Sequence, residues 1–459
     1  MTVRRPALLF AVMLALCWPV AASSDPASDS LVHVDAAHAA GYTGRGVTIA
    51  ILDTGIDDGN AQLAQRVIDE HCVVPPDGCP GGAAEADGRG SAQDDQGHGT
   101  EIAGIVADTA PDASLVIVKV TDANGRTTSA QVQAGLEWVR SRHPEAKVVN
   151  VSLAGDIPLS GDCSQLTPTL ASYAASVDAL DAGGASVFAA AGNGGRTNGL
   201  PAPACFPATV AVGAVYSTSV GSFTAPDVCA DRTTGADQLA CFSNTSAELD
   251  LLAVGVPVDT VGLGGTDTSI AGTSAASAQA AGVAALLLQA DPGLTPSALL
   301  ALMRQTGTAV TDARARVLEP TVPRIDAAAA LERLTGGTIP RLPAVSAPAA
   351  PAPRLSAPTV PRLHVVLSAI AFGTVRANHS TTRSLILQNA GEGTLTVRAS
   401  SSSSVVRAAP ARLRLATAPR RLALVFRPLR TGRYHGMIRL VTDDPDHPVV
   451  RIAFSGTAR

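Results

Sequence analysis

Gly272-Thr273-Ser274-Ala275-Ala276-Ser277-Ala278-Gln279-Ala280-Ala281-Gly282, continuing through Val283-Ala284-Ala285-Leu286-Leu287-Leu288, is the stretch whose reading decides the fold. A Gly-Thr corner is followed by small, strong helix formers with no proline before Pro292, which predicts a buried helix over residues 274–290. A serine in the first turn of such a helix is most often a cap. It also stands beside unsatisfied backbone N–H groups at the positive end of the helix dipole. That environment suits a nucleophile and the oxyanion it creates.

On either side, from Gly46 to about residue 334, short apolar runs alternate with helical patterns. Residues 47–52, 114–120, 148–152, 186–190 and 209–212 read as strands, and 103–106, 129–142 and 169–182 as further helices. The alternation predicts an α/β fold: a doubly wound, mostly parallel sheet with its site beyond the carboxyl ends of the strands.

Three more residues stand at such ends. Asp53 follows Thr48-Ile49-Ala50-Ile51-Leu52, His98 lies between Gly97 and Gly99 before a small-residue helix, and Asn193 follows Ala189-Ala190-Ala191-Gly192. Singly, each has an ordinary reading as a turn aspartate, a surface histidine and a turn asparagine with positive φ. In the order Asp, His, Asn, Ser they supply the parts of an acyl-transfer site. Ser274 would attack, His98 would take and return the proton, and Asp53 would fix the imidazole tautomer. Asn193 would join the Ser274 N–H in holding the oxyanion.

With Ile51-Leu52-Asp53-Thr54-Gly55, Gly97-His98-Gly99-Thr100, Ala191-Gly192-Asn193 and Gly272-Thr273-Ser274 in order, residues 31–334 resemble the subtilisin-like serine peptidases, the subtilases. Val149-Asn150-Val151-Ser152-Leu153, Phe206-Pro207-Ala208, Phe242-Ser243-Asn244 and Leu249-Asp250-Leu251-Leu252-Ala253 extend the likeness. It implies an endopeptidase acting on proteins or peptides, with no cofactor required for chemistry and structural calcium left open. It also implies that Val151-Ser152-Leu153-Ala154-Gly155 is an edge strand pairing with the substrate backbone. Ala190, Ala191 and Gly192 would wall the pocket for the residue before the cut. No acid is placed to demand a basic residue there, so an apolar or broad preference is expected.

The chain departs from the family pattern in three places. Where Met, Ala, Ala, Pro, His commonly follow the serine, it has Ala275, Ala276, Ser277, Ala278 and Gln279; Glu101 replaces a histidine, and Val254 stands where proline is frequent. These departures keep a second reading in view, a non-catalytic surface or binding protein retaining the fold. The four intact site residues argue against it.

Arg4 and Arg5, an apolar run over residues 7–18 and Val20-Ala21-Ala22 read as a signal peptide spanning 1–22, too short to serve as a transmembrane anchor. Secretion or a periplasmic location follows. Cys72, Cys79, Cys163, Cys205, Cys229 and Cys241 remain, an even count that fits an oxidising compartment. Local spacing suggests Cys72–Cys79 and Cys229–Cys241, leaving Cys163 with Cys205, one of about 15 connectivities. No histidine has metal-ligand spacing from them, so no metal site is expected. Ser23 to Ser30 leave room for only a short propeptide, where the resemblance implies a domain-sized one, and the C-terminal residues are expected to assist folding.

Residues 335–362, with Pro348-Ala349-Ala350-Pro351-Ala352-Pro353, read as a semi-rigid linker. Over residues 363–459 short alternating strands at 385–387, 395–397, 422–426, 437–441 and 449–454 predict a β-sandwich. Phe372-Gly373-Thr374-Val375, Gln388-Asn389-Ala390-Gly391, Phe426-Arg427-Pro428 and Gly432-Arg433-Tyr434 resemble Hydin-type immunoglobulin-like accessory domains, which implies a protein or cell-surface partner. The net charge of −5 hides an asymmetry, for residues 336–459 carry 17 arginines against four acids. Scattered through strands without a set of stacking aromatics, these arginines do not read as a nucleic-acid site.

Overall fold

A computed structural model describes residues 26–155, 157–225, 228–312, 314, 321–341, 363–365, 369–389, 394–415, 420–443 and 449–459. The signal peptide and most of the linker expected from the sequence lie outside them. The chain divides into two compact units, Met1–Ala347 and Pro348–Arg459.

The strands of the first unit are β1 (Thr48–Asp53), β2 (Val67–Val73), β3 (Glu85–Asp87), β4 (Ser114–Lys119), β5 (Ala146–Val151), β6 (Ser186–Ala190) and β7 (Thr209–Tyr216). They continue with a small hairpin of β8 (Phe223–Ala225) and β9 (Cys229–Asp231), then β10 (Leu251–Val256), a second hairpin of β11 (Val258–Val261) and β12 (Asp267–Ile270), β13 (Thr308–Thr311) and β14 (Thr321–Arg324). The helices are α1 (Pro26–Leu31), α2 (Val34–Ala39), α3 (Ala61–Ala64), α4 (His98–Thr109), α5 (Ser129–Arg142), α6 (Pro168–Ala182), α7 (Thr273–Ala290), α8 (Pro296–Thr306) and α9 (Ala327–Thr335).

Ten strands form one sheet in the order β13-β14-β10-β7-β6-β5-β1-β4-β2-β3. From β2 to β14 the pairs are parallel; β3 and β13 close the two edges antiparallel. Interior strands are apolar on both faces, as in the fully buried β7 and β10, because helices cover both sides. The chain winds to one side of β1 through β4 and β2, then to the other through β5, β6 and β7. The crevice at the carboxyl ends therefore opens beside β1.

Helix α7 runs through the middle of the unit with residues 273–288 all buried, which explains a sequence apolar around its whole circumference. The disulfides are Cys72–Cys79, Cys163–Cys205 and Cys229–Cys241. The packed unit is wider than residues 31–334. Ser28 of α1 is buried, as is Ile339 beyond α9, and Arg341 pairs with Glu332 at 3.0 Å.

One expectation needs correction. Residues 151–155 are not an edge strand: β5 lies between β1 and β6 and ends at Val151, and Ser152–Gly155 belong to no strand. The reason is that β1 and β6 themselves stop near the same level, their last pairs with β5 being Leu52↔Val151 and Ala189↔Val151. Past Val151 the backbone has no strand on either side.

In the second unit β15 (Leu363–Val365), β16 (Ala369–Val375), β17 (Thr381–Asn389), β18 (Leu395–Ser401), β19 (Val406–Ala409), β20 (Arg412–Leu415), β21 (Arg420–Phe426), β22 (Gly432–Thr442) and β23 (Val449–Ala458) form two sheets. Their orders are β15-β17-β21-β19 and β16-β23-β22-β18-β20. Phe372, Phe426, Phe454, Leu385, Leu422 and Leu440 belong to its common core.

Candidate active site

Ser274 begins the second position of α7 and is 8% exposed. A side chain at the corner before it would crowd the serine hydroxyl. A Cβ placed on Gly272 would lie 2.9 Å from Ser274 Oγ, 3.4 Å from Asn193 Nδ2 and 3.7 Å from the Ser274 amide nitrogen. A hydroxyl and two N–H donors thus converge on one small space.

The orientation of the Asn193 amide follows from its partners. Asn193 Oδ1 accepts from the Thr273 N–H at 2.9 Å and from the Thr273 hydroxyl at 2.9 Å. A backbone N–H can only donate, so the oxygen must face Thr273 and the NH2 group is turned outward. The Thr273 hydroxyl in turn accepts from the Gly192 N–H at 3.0 Å. Asn244 holds the same loop: its Oδ1 accepts from Gly194 and Arg196, and its Nδ2 donates to Ala191 O at 2.9 Å.

Asp53 ends β1, 1% exposed, and His98 opens α4. Asp53 Oδ1 accepts from His98 Nδ1 at 2.7 Å and from the Thr54 N–H at 2.8 Å. With Nδ1 donating to a carboxylate, the lone pair of the neutral ring is on Nε2. A Cβ on Gly99 would run into Gly55 O, so glycine there lets α4 sit against the end of β1. Burial opposes a charge on His98, but the charge and hydrogen bond of Asp53, with the charges of Glu101 and Asp94, outweigh it and lift the imidazole to about 9. Burial also raises the Glu101 carboxyl, against the pull of His98.

Sequence reasoning assigned no role to the groups that brace this pair. Asp94 Oδ1 accepts from Gly97 N–H at 2.8 Å and the Thr54 hydroxyl at 2.9 Å, while Oδ2 accepts from Thr100 N–H at 2.9 Å. Burial works to raise its carboxyl, yet these bonds hold it below the usual range. Lys119 ends β4 opposite Asp53, 1% exposed, and its Nζ donates to Thr54 O at 2.7 Å and Asp95 Oδ1 at 2.6 Å. A lone lysine closing an apolar strand was the available signal.

His98, Ser274, Thr273 and Asn193 line a cleft of about 500 Å³, faced by Ser152, Leu153, Ala154, Gly155, Ala190 and Gly192. Val151 and Ala191 do not line it. Both are fully buried, and Ala191 donates its N–H to Val212 O beneath the floor. Arg196 reaches the lining, and no carboxylate is among the described residues that form it. The segment Leu153–Gly155 also borders a second depression of about 820 Å³, walled by Val132, Ile157, Leu166, Leu170 and Tyr173. Among the described residues no group of three or more His, Cys, Asp or Glu is placed to hold a metal ion.

Residues 44–322 match the model of the subtilase family, Peptidase_S8. The chain belongs to the subtilase family. Subtilisin E of Bacillus subtilis is 33% identical over 300 residues, covering 62% of this chain and 67% of that protein. A subtilisin of Bacillus pumilus is 32% identical over 300 residues, covering 62% and 93%. A solved protease structure from Pseudoalteromonas arctica shares the fold at a TM-score of 0.52 and 23% identity, over 66% of this chain and 94% of that one. This subtilase is a serine endopeptidase whose chemistry requires no cofactor.

Two of its departures from the family pattern answer one another. Gln279 Oε1 accepts from the Val254 N–H at 2.9 Å, and Gln279 Nε2 donates to Ser28 Oγ at 2.6 Å. Proline at 254 would have no N–H to give. Ser277, a third departure, donates to Asn150 Oδ1 at 2.7 Å; Asn150 Nδ2 reaches Ser152 Oγ, which donates to Ser274 O at 2.9 Å. That buried chain ties the turn bearing Ser274 to the segment facing it.

Proposed function

We propose that this subtilase hydrolyses peptide bonds through an acyl-enzyme on Ser274. Ser274 Oγ attacks the scissile carbonyl as its proton passes to His98 Nε2, and Asp53 orients the ring and balances the imidazolium. The oxyanion takes hydrogen bonds from Asn193 Nδ2 and the Ser274 N–H. His98 then protonates the leaving amine, and water repeats the sequence to free Ser274 and the new carboxylate. The observation that carries this reading is the 2.7 Å contact of His98 with Asp53, combined with an asparagine whose donor end is turned to the serine corner.

Substrate backbone would run along Ser152–Gly155, where β5 has lost both neighbours, with Ala190 and Gly192 beside the residue before the cut. Apolar or broad specificity suits a lining with Arg196 and no described acid. We assign residues 1–22 to a signal peptide directing export, 31–334 to the catalytic domain with its packed flanks, 335–362 to a linker and 363–459 to an immunoglobulin-like sandwich serving attachment.

The test is casein hydrolysis by the mature chain beside Ser274→Ala and a serine-directed phosphonate. Activity should fall by about a millionfold in the variant, the loss known for the nucleophile of subtilisin, and vanish with the phosphonate. A folded wild type that neither cleaves nor reacts would overturn the mechanism in favour of a binding protein.

A further inference from the structure

Residues 348–459 hold 16 arginines, no lysine and four acids, a net charge of +12, against −17 for residues 1–347. The strand registers show where part of that charge lies. In the five-stranded sheet Leu395, Val397, Leu413, Leu415, Ile438 and Leu440 are buried, so the alternate positions form its outer face. Those positions are Arg412 and Arg414 on β20, Arg398 on β18, and Arg433, His435, Met437 and Arg439 on β22, all exposed.

Arg398 stands directly opposite Arg412, and Thr396 opposite Arg414. Like charges placed directly across a strand pair destabilise it. Arg398, Arg412, Arg414, Arg433 and Arg439 have no carboxylate partner among the described residues. Asp443, the described acid of this unit, accepts instead from the Thr396 N–H at 2.7 Å. A merely solvated face would mix both signs.

We propose that this face binds an anionic lipid surface through its phosphates. The proposal rests on the attachment role given to residues 363–459 and names what they attach to. Guanidinium forks match phosphate oxygens in pairs, which explains arginine without lysine. The cations spread across three strands as well as along them, a two-dimensional array that fits a sheet of headgroups better than one linear polyanion. Met437, between Arg439 and His435 and 37% exposed, offers an apolar contact that lipid accepts.

The test is co-sedimentation of the full mature chain with vesicles of phosphatidylglycerol in phosphatidylcholine, and of phosphatidylcholine alone, at about 0.15 M salt, where charges farther apart than a Debye length are screened. Binding should require phosphatidylglycerol. Arg398→Gln with Arg439→Gln should weaken it about thirtyfold, while Arg407→Gln with Arg421→Gln, equal in charge but on the other sheet, should change it far less. Casein hydrolysis by both double variants should match the wild type, which checks folding. Equal losses in the two variants would reduce the effect to net charge and overturn the proposal. Tighter binding to a duplex DNA competitor, with the same arginine dependence, would keep attachment and replace the lipid. Binding to neither would remove both.

Discussion

A histidine lifted to about 9 is protonated at neutral pH, and the proposed base must be neutral to take the serine proton. kcat/KM should therefore rise with pH on a limb governed by His98. Glu101 helps hold that limb high, so Glu101→Gln should move its midpoint to lower pH with little change in the alkaline plateau. A pH profile of kcat/KM for both proteins checks this, and an unmoved midpoint would remove Glu101 from the account. The same ring links pH to stability with a definite sign. Its folded pKa exceeds the ordinary 6.5, so its stabilising contribution is complete below about 6.5 and lost as pH rises through about 9. The activity gained toward alkaline pH comes with that loss.

At the scale of elements, α7 and β10 are joined by the Gln279 to Val254 hydrogen bond inside the core. Val254→Pro should cost about 1–3 kcal/mol by leaving a buried acceptor unpaired. Combined with Gln279→Leu it should cost less than the two changes added, because one bond is lost in both. Urea unfolding of the four proteins measures the coupling; simple additivity would refute it. This bond also marks the limit of what the sequence reveals. Asp53, His98, Asn193 and Ser274 were legible because the chemistry demands those residue types at element ends in a known order. Lys119, Thr273 and Asn244 were not, since each works through partners far off in the chain. Asp94, whose partners Gly97 and Thr100 are near, was not because its link to β1 runs through the distant Thr54. β2 escaped because Asp69, Glu70 and His71 interrupt its apolar pattern, although Glu70 and His71 are buried. β13 and β14 are short and sit at the sheet edge. The segment after Val151 was expected as an edge strand because the family resemblance implies one there; the ends of β1 and β6 determine where pairing within the sheet stops.

In the molecule as a whole, three disulfides lie in the catalytic unit and close loops of very different length. Cys163–Cys205 spans 42 residues, against 12 for Cys229–Cys241 and 7 for Cys72–Cys79. Chain entropy then predicts that Cys163→Ser with Cys205→Ser costs about 4 kcal/mol, and the Cys72 and Cys79 pair about 2.5. Comparing Tm values of the two double variants tests the ranking, and the reverse order would show that native contacts dominate. A different consequence follows from the stretch beyond Val151, which no strand of the sheet pairs. On the proposed path beside Ser152–Gly155 a substrate must be extended, so helices and closed hairpins are excluded, and exposed loops or loosened stretches are what the enzyme cuts. When opening and reclosing are fast, the rate of cleavage then reports the victim's own unfolding equilibrium. On that proposal, segments locked in folded structure are spared and those that fray are cut.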